Sequence, residues 1–147
     1  METLIASESK TAVGRAVELL RQGEIVALPT ETVYGLAGDA LNPIAVAKIF
    51  EAKERPRFDP LIVHLPERDW LEKVADPAKQ DRQLISRLAE NFWPGPFAIV
   101  LPKREIVPDI VTAGLDTVAI RISAHPMFDE IVRAFGKPLA ADRKSVV

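Results

Sequence analysis

The chain has 147 residues, with 19 Lys and Arg against 21 Asp and Glu for a formal net charge of −2, and it is 48% hydrophobic and 27% charged. That balance is ordinary for one soluble globular domain with a real core, and it excludes the broadly basic footprint of a dedicated nucleic-acid binder while leaving a local basic patch open. The absence of cysteine excludes a disulfide framework, a thiolate nucleophile and cysteine-ligated metal.

The first ten residues, METLIASESK, are too polar and acidic for a signal peptide, and no apolar run approaches the roughly 20 residues needed to span a bilayer. The expected location is therefore cytoplasmic, with no membrane partner. Residues 11–22 place Ala12, Val13, Ala16, Val17, Leu19 and Leu20 at helical spacing, with Thr11 as a possible cap and Gly23 where a C-cap glycine would sit. This predicts a helix from about residue 10 to 22. Residues 25–28 are continuously apolar, which suits a strand buried on both faces. Pro29 stops that run where two hydroxyls, Thr30 and Thr32, follow, and Gly35 and Gly38 read as freedom to take positive φ beside Tyr34.

Asn42-Pro43 opens a second helix whose apolar positions Ile44, Val46, Ala47, Ile49 and Phe50 recur with a period near 3.6, and it ends in the basic cluster Lys53, Arg55 and Arg57. Residues 60–65 predict another strand, with His64 set among aliphatics. One or two helices follow over 69–92, broken at Pro77, and Trp93-Pro94-Gly95-Pro96 reads as a rigid turn. Strands are expected at 97–101 and 117–122, the second carrying Arg121, with a loop at 107–114 between them. A helix from His125-Pro126 to about Phe135 ends at Gly136, and a strand follows at 138–141. Strands alternating with helices give an α/β domain on a largely parallel or mixed sheet.

Each polar candidate has two readings. His64 is either a satisfied core histidine or a ligand-facing one. Arg121 between two isoleucines needs an anion to offset several kcal/mol of desolvation, and either a structural carboxylate or a ligand supplies it. Lys53 and Arg55 stand at i and i+2, so they share a target only if the helix stops there, which Pro56 favours; otherwise they are a solvated surface. The common phosphate-loop, dinucleotide, zinc-protease and serine-elbow motifs are absent, and two histidines exclude a multi-histidine metal site. Hydroxyls, glycines and cations converging on one spot suit an anionic ligand.

The motifs PTETVYGL, KIFEAKERP, PLIVHL, WPGP, VTAGLDTVAIR and AHP, in that order and spacing, resemble the YrdC/Sua5 family of threonylcarbamoyl-AMP synthases from about residue 14 to 141. The resemblance implies a single YrdC-like domain over 1–147, a twisted mixed parallel and antiparallel sheet flanked by helices around a concave ligand cavity. It implies a nucleotidyltransferase that joins L-threonine, bicarbonate and ATP, with Mg2+, into threonylcarbamoyl-adenylate and pyrophosphate, for N6-threonylcarbamoyladenosine (t6A) formation in tRNA. By resemblance Thr32, His64, Arg121 and Ala141 bind threonine. Lys53 and Arg55 are the catalytic cations facing the phosphates, and Asp59 and Thr117 line the nucleotide side with them. Partners implied are tRNA and the proteins that complete t6A transfer.

Three departures qualify the match. Asp59 stands where the family usually has Asn, adding negative charge beside a phosphate site. Ala98 replaces a common Thr. After residue 141 the family's PSAN is replaced by Asp142, Arg143, Lys144 and Ser145, so the family's C-terminal part is expected to be lacking. A sheet ending early would expose an unpaired edge, which predicts pairing with a second copy as a homodimer. The alternative function is a catalytically impaired module that binds RNA or a protein partner.

Overall fold

The computed structural model describes residues 3–5, 10–29, 34–53, 60–78 and 81–142, with the backbone alone at 3–5 and 10. In chain order the elements are β1 (Thr3–Ile5), α1 (Lys10–Arg21), β2 (Ile25–Pro29), β3 (Tyr34–Asp39), α2 (Pro43–Ala52), β4 (Ile62–His64), a 3-10 turn at Arg68–Trp70 leading into α3 (Leu71–Val74), α4 (Arg82–Phe92), β5 (Ile99–Pro102), β6 (Thr117–Arg121), α5 (Pro126–Phe135) and β7 (Leu139–Ala141).

Local chemistry sets most of these boundaries. Gly23 takes φ 81° after α1, while the Gly23 N–H donates to the Leu20 carbonyl and the Glu24 N–H to that of Leu19, a Schellman ending. The Asn42 side chain accepts from the N–H groups of Ile44 and Ala45, with Pro43 already helical. The His125 imidazole Nδ1 accepts from the Met127 N–H at 3.2 Å to cap α5, and Gly136 closes that helix at φ 80°. Thr11, expected as a cap, lies inside α1 instead.

Among the described strands the sheet runs β1-β2-β3-β7-β4-β6-β5. β1 with β2 and β4 with β6 are parallel, and the other four pairings are antiparallel, so the sheet is mixed as expected. Two strands were not predicted. β1 falls in the polar N-terminus, and β3 falls where Gly35 and Gly38 suggested a turn. Gly38 is not in the left-handed region; a Cβ there would meet Ile25 Cγ2 at 3.2 Å and Ile49 Cδ1 at 3.5 Å. Glycine at 38 lets α2 settle onto the sheet, so its role is close approach and not a turn.

The last strand of the chain is not at the sheet's edge. β7 is interior, paired to β3 on one side and β4 on the other, and the outer described strands are β1 and β5.

Alternation assigns the strand residues to two faces. Ile25, Ala27, Leu36, Val63, Val118, Ile120 and Ala140 join Val46, Ile49 and Phe50 of α2 in one core. Val26, Leu28, Ala37, Leu139 and Ala141 join Val13, Val17 and Leu20 of α1 and Phe128, Ile131 and Val132 of α5 in a second core on the opposite face. Both cores are closed against the sheet from β2 to β7. Past β7 the second face changes character.

Candidate functional site

His64 ends β4 and Arg121 ends β6, and the parallel register sets them directly opposite one another. Adjacent strands lie about 4.8 Å apart, so an imidazole and a guanidinium leave neighbouring backbones toward the same face. The register is held firmly, since the Leu65 N–H donates to the Arg121 carbonyl at 2.9 Å and the Gly95 N–H donates to the Ile122 carbonyl at 2.8 Å. The turn at residues 93–96, which contains a cis Trp93-Pro94 bond, thus anchors the end of β6; it is itself tied by Trp93 Nε1 donating to the Phe97 carbonyl at 2.7 Å.

His64 is 4% exposed, and its ring lies 4.6 Å from that of Phe128 at 49°. Phe128 is fully buried on α5, so the helix that closes the second core also fixes the imidazole. The core-histidine and ligand-facing readings are therefore compatible: one side of the ring packs on Phe128 while its strand neighbour across the sheet is a cation. Ala141 faces the same way, paired with Ile62 on one side and Ala37 on the other. Thr117 shares Arg121's parity four residues back along β6, roughly 13 Å away at 3.3 Å per residue, and is exposed. Four predicted residues, His64, Arg121, Ala141 and Thr117, therefore share one sheet face.

Lys53 arrives from the other layer. It is the C-cap of α2, which packs on the opposite core, and its N–H donates to the Ile49 carbonyl at 3.2 Å. Because α2 carries the chain from the C-terminal end of β3 to the N-terminal end of β4, its last residue lies at the sheet end where β4 and β6 start and β7 finishes. On the sheet face itself Thr117 lies at one end and the His64–Arg121 pair at the other. Thr32, Arg55 and Asp59 lie outside the described residues.

Burial marks how much of this face is open. β4 and β6 are interior strands, and on their other face Val63, Val118 and Ile120 are 0–1% exposed. On this face Ile62 and Ala119, directly paired, are only partly buried, and Val100 beyond them on β5 is 60% exposed. α5 reaches as far as His64 at the end of β4, and beyond it Ile62 and Ala119 leave a partly exposed apolar stretch between Arg121 at one end and the Thr117 hydroxyl at the other. Ile62, Ala119 and Phe128 were not singled out from sequence. A continuously apolar strand does not say which of its faces is covered, and only the smallness of Ala119 between Val118 and Ile120 gave a signal.

A separate concavity of about 440 Å3 between the 3-10 turn and α4 is lined by Arg68, Glu72, Arg82 and Ser86 among others. Within it the hydrogen bond from Arg82 to Glu72, and then the charge of that carboxylate, raise the Arg82 pKa. None of the predicted site residues lines it. No described helix is long and apolar enough to cross a membrane.

A family model for Sua5, YciO and YrdC proteins, described as "Telomere recombination", matches residues 18–142. A threonylcarbamoyl-AMP synthase of Pyrococcus abyssi is 44% identical over 131 residues, 89% of this chain and 38% of its own length. One of Bacillus subtilis is 45% identical over 136 residues, 92% of this chain and again 38% of its own length. The crystal structure of P. abyssi Sua5 complexed with L-threonine superposes with a TM-score of 0.86 at 41% identity, covering 96% of this chain and 41% of that one. The chain thus spans well under half the length of these relatives.

Proposed function

The chain belongs to the Sua5/YciO/YrdC family, and from that premise we propose that it binds L-threonine and ATP along the open sheet face and forms threonylcarbamoyl-adenylate and pyrophosphate with bicarbonate. The observation that supports this most is the in-register pair His64 and Arg121 at one end of a partly exposed sheet face. A guanidinium on a rigid strand presents a fork of donors that matches a carboxylate, and interior strands hold it without reorganisation.

The chemistry runs in two steps. The threonine amino group attacks bicarbonate, giving a carbamate and water; a carbamate oxygen then attacks the α-phosphorus of ATP and pyrophosphate leaves. Arg121 holds the carboxylate at one end, and Lys53 with Arg55 neutralises phosphate charge that grows on the leaving group. Thr117 faces the nucleotide side with Asp59, while Thr32, His64 and Ala141 bound the threonine. Positioning two reactants on one rigid floor is the main contribution such a site makes, since no activated side-chain nucleophile is needed.

Among the described residues no group of three or more His, Cys, Asp or Glu could hold a metal ion. The described residues therefore do not fit a protein cage for Mg2+, and a magnesium ion would come bound to the nucleotide phosphates. The threonylcarbamoyl group is destined for the t6A nucleoside of tRNA, through the partner proteins that complete the transfer.

Isothermal titration tests the reading. L-Threonine binding is expected to vanish in Arg121→Ala, and ATP binding to weaken in Lys53→Ala. Unchanged binding in both variants would remove the proposal, and salt-dependent RNA binding without either small ligand would favour an RNA-binding module.

A further inference from the structure

We propose that Lys103 is a positioning residue for the nucleotide: its ammonium fixes the shape of the 103–116 loop, and that loop fixes where Thr117 stands at the start of β6. This rests on the proposed ATP site. β5 and β6 are antiparallel neighbours closed at the Pro102–Thr117 pair, and such strands need only about 2–5 residues to connect. Residues 103–116 intervene instead, with no helix and no strand beyond one bridge from Lys103 to Ala75. The loop is nonetheless packed from within, since Val107, Val111 and Thr112 are all buried. A connection this long whose ends meet and whose own side chains fill it is more often kept for function than for closure.

Lys103 braces the loop from inside. Its ammonium donates to the Val107 carbonyl at 3.1 Å and lies 2.9 Å from an Asp109 carboxylate oxygen. The lysine side chain is only 14% exposed, whereas that of Asp109 is 83% exposed, so the carboxylate sits at the rim and the cation within. An ammonium is withdrawn from water only where such partners hold it. The Asp109 carbonyl in turn accepts from the Gly114 N–H at 2.9 Å, and Thr112 Oγ1 donates to the Leu115 carbonyl at 2.9 Å. Between these bonds Ala113 takes φ 54°, a left-handed conformation that a residue with a Cβ keeps only under such restraint. The brace therefore reaches the backbone three residues before Thr117. The Leu61 N–H also donates to the Val111 carbonyl at 2.9 Å, which docks the same loop at the entry to β4. It thus spans the ends of β4 and β6 that lie away from His64 and Arg121.

Titrating ATP and L-threonine separately into the wild-type chain, Lys103→Met, Lys103→Arg and Asp109→Asn, each with a thermal melt, reads the assignment. Lys103→Met keeps the buried stem and removes the ammonium. It is expected to weaken ATP about tenfold, the worth of one charge-assisted bond, with L-threonine affinity unchanged. Lys103→Arg is expected to recover most of the loss. Asp109→Asn separates placement from bulk charge. Removing a carboxylate makes the surface more attractive to a polyanion, whereas slackening the brace weakens ATP, here by about threefold. Because Asp109 is exposed, that variant keeps its fold and decides the matter even if Lys103→Met does not fold. ATP affinity unchanged or raised in Asp109→Asn overturns the assignment. So does a lowered melting temperature in Lys103→Met with both affinities at the wild-type level, which would make the lysine purely structural. A wild type that does not bind ATP overturns the ATP site and this role with it.

Discussion

His64 and Arg121 face each other across the β4–β6 pair, and each is fixed from a different direction: the imidazole by the Phe128 ring at 4.6 Å, the Arg121 carbonyl by the Leu65 N–H at 2.9 Å. If the carboxylate is held by the fork, Arg121→Lys keeps the charge but loses a bidentate bond, and charge-assisted bonds are worth about 1.5–3 kcal/mol. L-Threonine affinity by calorimetry is therefore expected to drop at least tenfold in Arg121→Lys. An affinity equal to wild type in the lysine variant would show that the fork is not used.

Phe128 joins stability to the site. It is fully buried between α5 and the sheet, so truncation to alanine is expected to cost about 3–5 kcal/mol and to lower the melting temperature by more than 6 °C, at about 2–4 °C per kcal/mol for this size. Phe128→Leu keeps most of the volume and removes the ring face beneath His64. The leucine variant is expected to melt within a few degrees of wild type yet bind L-threonine more weakly. Equal loss of affinity and stability in both variants would reduce Phe128 to a core residue.

Local sequence chemistry and tertiary context contributed to different elements. α1, α2, α5 and the strands around 25–28, 60–65, 97–101, 117–122 and 138–141 were legible because caps and apolar runs agree there. β3 was not, since Tyr34, Gly35, Ala37 and Gly38 look like turn chemistry and become a strand only because β2 and β7 flank them and α2 needs glycine at 38. The pairing of His64 with Arg121 depends on register, which no local pattern states. Their residue types came from an ordered set of motifs; their adjacency came from the sheet. Lys53 was placed with them on charge and on the resemblance of its motif, whereas its helix packs on the other layer.

The turn that anchors β6 is sensitive at one glycine. A Cβ on Gly95 would lie 2.7 Å from the Phe92 carbonyl oxygen, a backbone atom at the end of α4 that cannot swing aside. Overpacking of this kind costs about 1–3 kcal/mol. Gly95→Ala is expected to lower the urea midpoint accordingly, and because the Gly95 N–H donates to the Ile122 carbonyl, to weaken threonine binding at Arg121 one residue earlier. A variant that matches wild type on both counts would mean the turn absorbs the methyl without moving β6.

Gly14 gives the opposite sign. It lies inside α1, exposed, with nothing within 4 Å of where a methyl would sit and no left-handed φ to protect. Glycine there costs the helix backbone entropy with no packing in return, so Gly14→Ala is expected to raise stability by about 0.5–1 kcal/mol. Since α1 packs on α5 and α5 carries Phe128, the gain should appear as a higher urea midpoint at an unchanged slope, with threonine affinity unaltered. Destabilisation by Gly14→Ala would show that α1 seats more closely against a neighbour than its open glycine implies.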